Sequence, residues 1–141
     1  MKQSARTQIM LVDDDPDFLL QQKMRFEAAG YAVTTADGAE QARAALVQVA
    51  PDVVVVDLMM GEMDAGVVLA HELKKSRPGL PIILVTGVTR ETGLSFEAGT
   101  AEERRWLDVD QVLAKPIRFE QLKGEVEGLL ARRGAAPGGL S

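Results

Sequence analysis

The sequence predicts a doubly wound α/β domain, a parallel sheet with right-handed crossovers and helices on its faces. Three observations predict it. Four short aliphatic runs, Ile9-Met10-Leu11-Val12, Val53-Val54-Val55-Val56, Pro81-Ile82-Ile83-Leu84-Val85 and Val112-Leu113-Ala114, read as buried parallel strands. The stretches between them have helical spacing and helix punctuation, so strand and helix alternate five times. The chain of 141 residues, 46% hydrophobic and 26% charged, fits one domain with a core of its own.

Each element has a local reason. Asp15-Pro16 supplies an N-cap with proline at the first helical position, and Gly30 is a natural residue just past the helix end. Between them Leu20, Met24 and Ala28 stack one turn apart. Tyr31 to Thr35 reads as a short second strand, and Asp37 to about Val49 as an alanine-rich helix. After Pro51 the third strand runs to Asp57, followed by a loop from Leu58 to Met63. Asp64 is placed to cap a helix that reaches about Arg77 and stops at Pro78-Gly79. The fourth strand ends at Thr86 and the fifth precedes Lys115. The long stretch 87–110, rich in Gly, Thr and Glu, leaves room for a short or displaced helix. Within it Trp106, with Leu107 and Phe96, reads as an anchor of that loop. A last amphipathic helix, about Arg118 to Arg132, turns Leu122, Val126, Leu129 and Leu130 inward. Residues 1–7 read as a flexible N-terminus, 8–132 as the domain, and 133–141 as a disordered tail.

The four aliphatic runs end at chemically useful side chains: Asp13-Asp14-Asp15, Asp57, Thr86 and Lys115-Pro116. In an open parallel sheet the carboxyl ends of the strands face one crevice, where ligands bind. Several carboxylates, one hydroxyl and one ammonium would gather there. Oxygen ligands alone suit a hard cation such as Mg²⁺. A carboxylate beside that cation can attack phosphorus to give an aspartyl phosphate, while Lys115 neutralises charge on the transferred oxygens and Thr86 donates its hydroxyl. Taken singly, an Asp, a Thr or a Lys-Pro at a strand end is ordinarily a turn former or a structural residue, and Asp15 reads as a helix cap. Four such endings on separate strands of one sheet are not ordinary. His71, the single histidine, falls mid-helix and reads as a surface residue.

The segments Val12-Asp13-Asp14, Val56-Asp57-Leu58-Met59-Met60, Val85-Thr86-Gly87 and Ala114-Lys115-Pro116 together resemble the receiver domain of two-component response regulators, over about residues 8 to 132. The resemblance implies a flavodoxin-like five-stranded parallel sheet of order 2-1-3-4-5 with helices on both faces. It implies Asp57 as phosphoacceptor, Asp13, Asp14 and Asp57 as Mg²⁺ ligands with the Met59 backbone carbonyl completing the shell, and Thr86 and Lys115 as the groups that sense and hold the phosphoryl. The implied donor is a sensor histidine kinase or a phosphotransfer protein. Two positions depart from the pattern: Gly61 stands where such domains usually carry proline, and Val112 where they usually carry an aromatic. Met59 and Val88, both apolar, flank the acceptor and the threonine, which predicts poor positioning of an attacking water and a long-lived phosphoryl group.

The leading expectation is therefore a signalling switch that catalyses only its own phosphorylation and dephosphorylation. With no helix-turn-helix, P-loop or catalytic module after residue 132, it is expected to act by protein contact or as a phosphorelay member. Two alternatives are weighed. Asp13-Asp14-Asp15 also resembles the Asp-x-Asp of haloacid-dehalogenase-type phosphatases, with Asp13 as nucleophile and Asp15 as acid/base, but Asp57 would then have no role. A non-phosphorylated scaffold is the other. The net charge of −5 argues against a nucleic-acid partner, and no apolar stretch approaches the roughly 20 residues that span a bilayer. The absence of cysteine and the polar N-terminus suit the cytoplasm. The remaining expected partner is an unassigned downstream protein, with a homodimer as an option.

Overall fold

The aliphatic runs become five parallel strands in the computed structural model, which describes residues 6–57, 65–87 and 109–134. In chain order these are β1 (Gln8–Val12), α1 (Pro16–Ala28), β2 (Ala32–Ala36), α2 (Ala39–Leu46), β3 (Val53–Asp57), α3 (Ala65–Ser76), β4 (Ile82–Gly87), β5 (Gln111–Lys115) and α4 (Phe119–Gly134). The sheet order is β2-β1-β3-β4-β5. This is the flavodoxin-like order expected, with the chain reversing direction across the sheet between β1 and β3. The expected loop at 58–63, the cap at Asp64, the 87–110 segment with Phe96 and Trp106, and the 133–141 tail lie wholly or largely outside the described residues, with 133 and 134 continuing α4.

Pleat alternation divides the core in two. Ile9, Leu11, Val53, Val55, Ile83, Val85 and Leu113 face α1 and α4, where they meet Leu19, Phe26, Leu122, Val126 and Leu129. Met10, Val12, Val54, Val56, Ile82, Leu84 and Val112 face α2 and α3, where they meet Ala42, Leu69, Ala70 and Leu73. With both faces covered, a strand has no solvent side to mark with polar residues. That is why the sequence shows unbroken valine and isoleucine.

Helix α1 starts as its sequence indicates: the Asp15 side chain accepts from the N–H of Asp17 at 3.0 Å and of Phe18 at 3.4 Å, with Pro16 in the first turn. It ends at Ala28 with Ala29 as its C-cap, and Gly30 follows with φ of +103°, a left-handed conformation that glycine adopts without steric cost. The stacked Leu20, Met24 and Ala28 do not face the core: Leu20 is 57% and Met24 59% exposed, and Leu19, Gln22 and Phe26 are the buried residues. The helix is turned by packing of Phe26, whose ring meets Tyr31 edge-on at 5.5 Å and Phe119 at 4.9 Å. The aromatics outweigh the aliphatic pair because they bury more area and lie directly over the sheet. α2 is shorter than its alanine-rich sequence suggests, ending at Leu46. His71 is exposed on α3, as expected.

At the amino edge of the sheet Asp110 ties two elements. Its Oδ2 accepts from the Ile82 N–H and from Lys74 Nζ, both at 2.7 Å, and Lys74 also donates to the Leu80 carbonyl at 2.9 Å. This clamp fixes the start of β4 against α3 and the approach to β5.

Replacing Phe26 by Ala removes the fully buried ring that joins α1, β2 and α4. The expected loss is about 3–5 kcal/mol, read as a lower urea midpoint.

Candidate functional site

Register brings the strand endings together. Val12 pairs with Val56, so Asp13 leaves β1 level with Asp57 at the end of β3. Asp57 pairs with Val85, Thr86 with Ala114, and Gly87 with Lys115. By alternation Asp13, Asp57 and Lys115 continue the α1/α4 side of the sheet, whereas Thr86 continues the α2/α3 side occupied by Leu84 and Val112.

Asp13, Asp57 and Thr86 are 1%, 7% and 4% exposed, while Asp14 lies open to solvent. Ligand oxygens of Asp13, Asp14 and Asp57 all lie within 4.8 Å of one another. Lys115 Nζ donates to Asp13 Oδ2 at 2.9 Å and stands 3.6 Å from Asp57 Oδ2. The other Asp13 oxygen, Oδ1, accepts from the Asp15 N–H at 2.9 Å. The loop Asp13-Asp14-Asp15 is therefore fastened at both ends: inward by Asp13, and forward into α1 by the Asp15 cap. The Lys115–Pro116 peptide is cis.

Among the described residues three carboxylates and the Lys115 ammonium make up the cluster, and its donor set is oxygen only. Octahedral Mg²⁺ at roughly 2.1 Å from each ligand needs oxygens roughly 3 to 4 Å apart, compatible with ligand oxygens that all lie within 4.8 Å of one another. The residues thus fit a small divalent cation, with Asp14 on the solvent side of the cluster. Burial opposes the charge on Lys115. The hydrogen bond to Asp13 and the fields of Asp57, Asp13 and Asp15 outweigh it, so the lysine pKa lies above its ordinary value of 10.5.

Of the residues singled out in the sequence, the fold unites Asp13, Asp14, Asp57 and Lys115, and ends β4 at the same edge with Thr86 buried. Met59, Gly61 and Val88 lie outside the described residues. Asp15 is not one of the converging carboxylates. Its Oδ1 caps the α1 N-terminus, so the Asp13–Asp15 pair that the phosphatase alternative calls on is not part of the converging cluster. One neighbour carried no sequence signal: Phe18, whose ring centroid is 4.7 Å from Lys115 Nζ. It lines a cleft of about 350 Å³ with Asp15, Gln21, Gln22, Lys115 and Ile117. Only its position in the first turn after the acidic run could have pointed to it.

The family model for the response regulator receiver domain matches residues 9–127. The chain belongs to that family. Receiver domains are signalling switches, not classical enzymes, and response regulators interact with histidine kinases. The probable transcriptional regulatory protein TcrX of Mycobacterium tuberculosis is 32% identical over 128 residues, covering 89% of this chain and 50% of that protein. Transcriptional regulatory protein GlrR of Escherichia coli K12 is 40% identical over 78 residues, covering 55% of this chain and 17% of that protein. The receiver thus spans about half the length of the first and under a fifth of the second. RpaA of Synechocystis, described as DNA-binding, is 28% identical over 132 residues with 51% of its length covered. Among solved structures, the response regulator TrrA of Thermotoga maritima in complex with Mg²⁺-BeF superposes with a TM-score of 0.69 at 27% identity, covering 87% of this chain and 98% of that one. A CheY-like receiver domain protein from Methanospirillum hungatei gives a TM-score of 0.78 at 24% identity over 93% of this chain and 98% of that one, a likeness of fold. No helix among the described residues is long and apolar enough to cross a membrane.

Because the folded-state pKa of Lys115 is raised, its pairing contributes stability that is complete below about pH 10.5 and is lost as pH rises through the folded value. Lys115→Met is expected to destabilise at pH 7 and 9 by similar amounts, with the difference narrowing above pH 10.5. Urea unfolding of both proteins at pH 7, 9 and 11 checks this.

Proposed function

We propose that this receiver is the phosphoacceptor switch of a two-component system: with Mg²⁺ bound, it takes a phosphoryl group from a histidine kinase or phosphotransfer protein onto Asp57. The observation that carries the reading is the convergence of Asp13, Asp14 and Asp57 within 4.8 Å, with Lys115 between Asp13 and Asp57. The complex of TrrA with Mg²⁺-BeF supports the choice of cation.

In this reading a carboxylate oxygen of Asp57 forms a bond to phosphorus as the donor's P–N bond breaks. Bound Mg²⁺ supplies charge neutralisation to the transferred oxygens. Asp13, Asp14 and Asp57 would hold it, with the Met59 backbone carbonyl completing the set of protein ligands. Lys115, already 3.6 Å from the acceptor, pairs with a phosphoryl oxygen, and its raised pKa keeps it charged at neutral pH. Thr86 donates its hydroxyl to another, so that phosphorylation is felt on the α2/α3 side of the sheet. Output passes by protein contact, or onward in a relay, in the cytoplasm.

The test is incubation with Mg²⁺ and a small phosphodonor, followed by mass spectrometry of the base-labile adduct. Label is expected at Asp57 and is absent in Asp57→Asn. Turnover lost with Asp13→Ala but kept with Asp57→Asn would favour the phosphatase instead, and no labelling would favour the scaffold. With the apolar Met59 and Val88 two residues past Asp57 and Thr86 respectively in the sequence, the phosphorylated protein is expected to outlast seconds by far; decay within seconds contradicts that reading.

Mg²⁺ at ten times its Kd is expected to raise unfolding free energy by about 1.4 kcal/mol. Asp13→Ala should abolish this increment. Asp15→Ala should keep it while lowering baseline stability by about 1 kcal/mol through the lost cap. Urea melts with and without Mg²⁺ distinguish the two.

A further inference from the structure

Lys115 has an unresolved conflict of partners. Its Nζ is closer to Asp13 Oδ2, at 2.9 Å, than to Asp57 Oδ2, at 3.6 Å. Yet the proposed chemistry calls on Asp13 for a cation and on Lys115 for the phosphoryl on Asp57. A carboxylate committed to a divalent cation has less charge to offer an ammonium. The lysine stem is long and freely rotating, and water is the competing environment.

Phe18 is built to resolve this. Its ring centroid lies 4.7 Å from Lys115 Nζ. An aromatic face attracts a cation but has no lone pair directed at its N–H donors, so it holds the ammonium without competing with phosphoryl oxygens. The ring is itself anchored. The Phe18 backbone N–H donates to Asp15 Oδ1, the Asp15 N–H donates to Asp13 Oδ1, and the Phe18 side chain packs on the α1/α4 core. One short loop therefore ties the cation ligand Asp13 to the wall behind the lysine.

We propose that Phe18 is a positioning residue for phosphoryl transfer, its ring keeping the Lys115 ammonium directed at Asp57 when Asp13 serves the cation. This rests on the reading of Asp57 as phosphoacceptor.

The experiment measures phosphorylation by phosphoramidate across a Mg²⁺ titration, for the parent, Phe18→Leu, Phe18→Met and Phe18→Tyr. Leu and Met keep apolar bulk without the ring face, and Tyr keeps the face. The expected result is a rate constant at saturating Mg²⁺ lowered about three- to tenfold in Phe18→Leu and Phe18→Met, a size typical of a partly desolvated cation–π contact. The half-saturating Mg²⁺ concentration should stay within about twofold, and Phe18→Tyr should run at the parental rate, as expected if the ring face is what matters. The Lys115 Hε resonances, shifted upfield by the ring in the parent and Phe18→Tyr, should move downfield in the other two; these spectra also report whether each variant is folded. Parental rates in both ring-less variants, or a loss in Phe18→Tyr equal to theirs, overturn the inference while the Asp57 label stands. A parent that takes no label at Asp57 overturns the phosphoacceptor reading and the inference with it.

Discussion

Asp13 is a carboxylate almost wholly withdrawn from water, and the site depends on what compensates it. An isolated charge so buried would be strongly unfavourable. Here Lys115 and the Asp15 N–H take up both of its oxygens. The group as a whole is acidic: oxygens of Asp13, Asp14 and Asp57 converge within 4.8 Å of one another, and Lys115 pairs with Asp13 and Asp57. Residual like-charge repulsion makes the pocket receptive to a divalent cation. The same pairing anchors β5 to β1 across the intervening strands, so the charge balance of the site and the closure of the sheet edge are one interaction seen twice.

The pleat assigns the participants to sides. Asp13, Asp57 and Lys115 project with the α1/α4 core, Thr86 with the α2/α3 core. Chemistry and its consequences can thus be separated by the thickness of one strand. Val112 bears on this arrangement. Where receivers usually carry an aromatic, this chain has a small side chain, 1% exposed and packed beside Leu84. A valine so enclosed offers no ring that could swing between buried and exposed positions.

Much of this was legible in the residues. Asp15-Pro16 and Gly30 bounded α1 because caps are local: a side chain meets N–H groups two and three residues on, whatever the rest of the fold does. The aliphatic runs announced a sheet covered on both faces, and their endings named Asp13, Asp14, Asp57, Thr86 and Lys115. The rotation of α1 was not legible. Leu20 and Met24 match helical spacing as well as Leu19 and Phe26 do, and only the Phe26–Tyr31–Phe119 contacts decide which pair turns inward. Asp110 drew no notice either, since its partners Lys74 and Ile82 are remote in sequence.

By itself, the order of residues determined which segments are strands, where α1 begins and stops, and which side chains end each strand. These follow from short-range propensity, capping and hydrophobic periodicity. Tertiary structure alone decided that Lys115 lies against Asp13 across 102 positions, that Phe18 rather than any nearer residue backs it, and that Asp15 serves the helix and not the acidic cluster. Those outcomes depend on strand register and helix rotation, which are set by the summed packing of both sheet faces and are written at no single position in the chain.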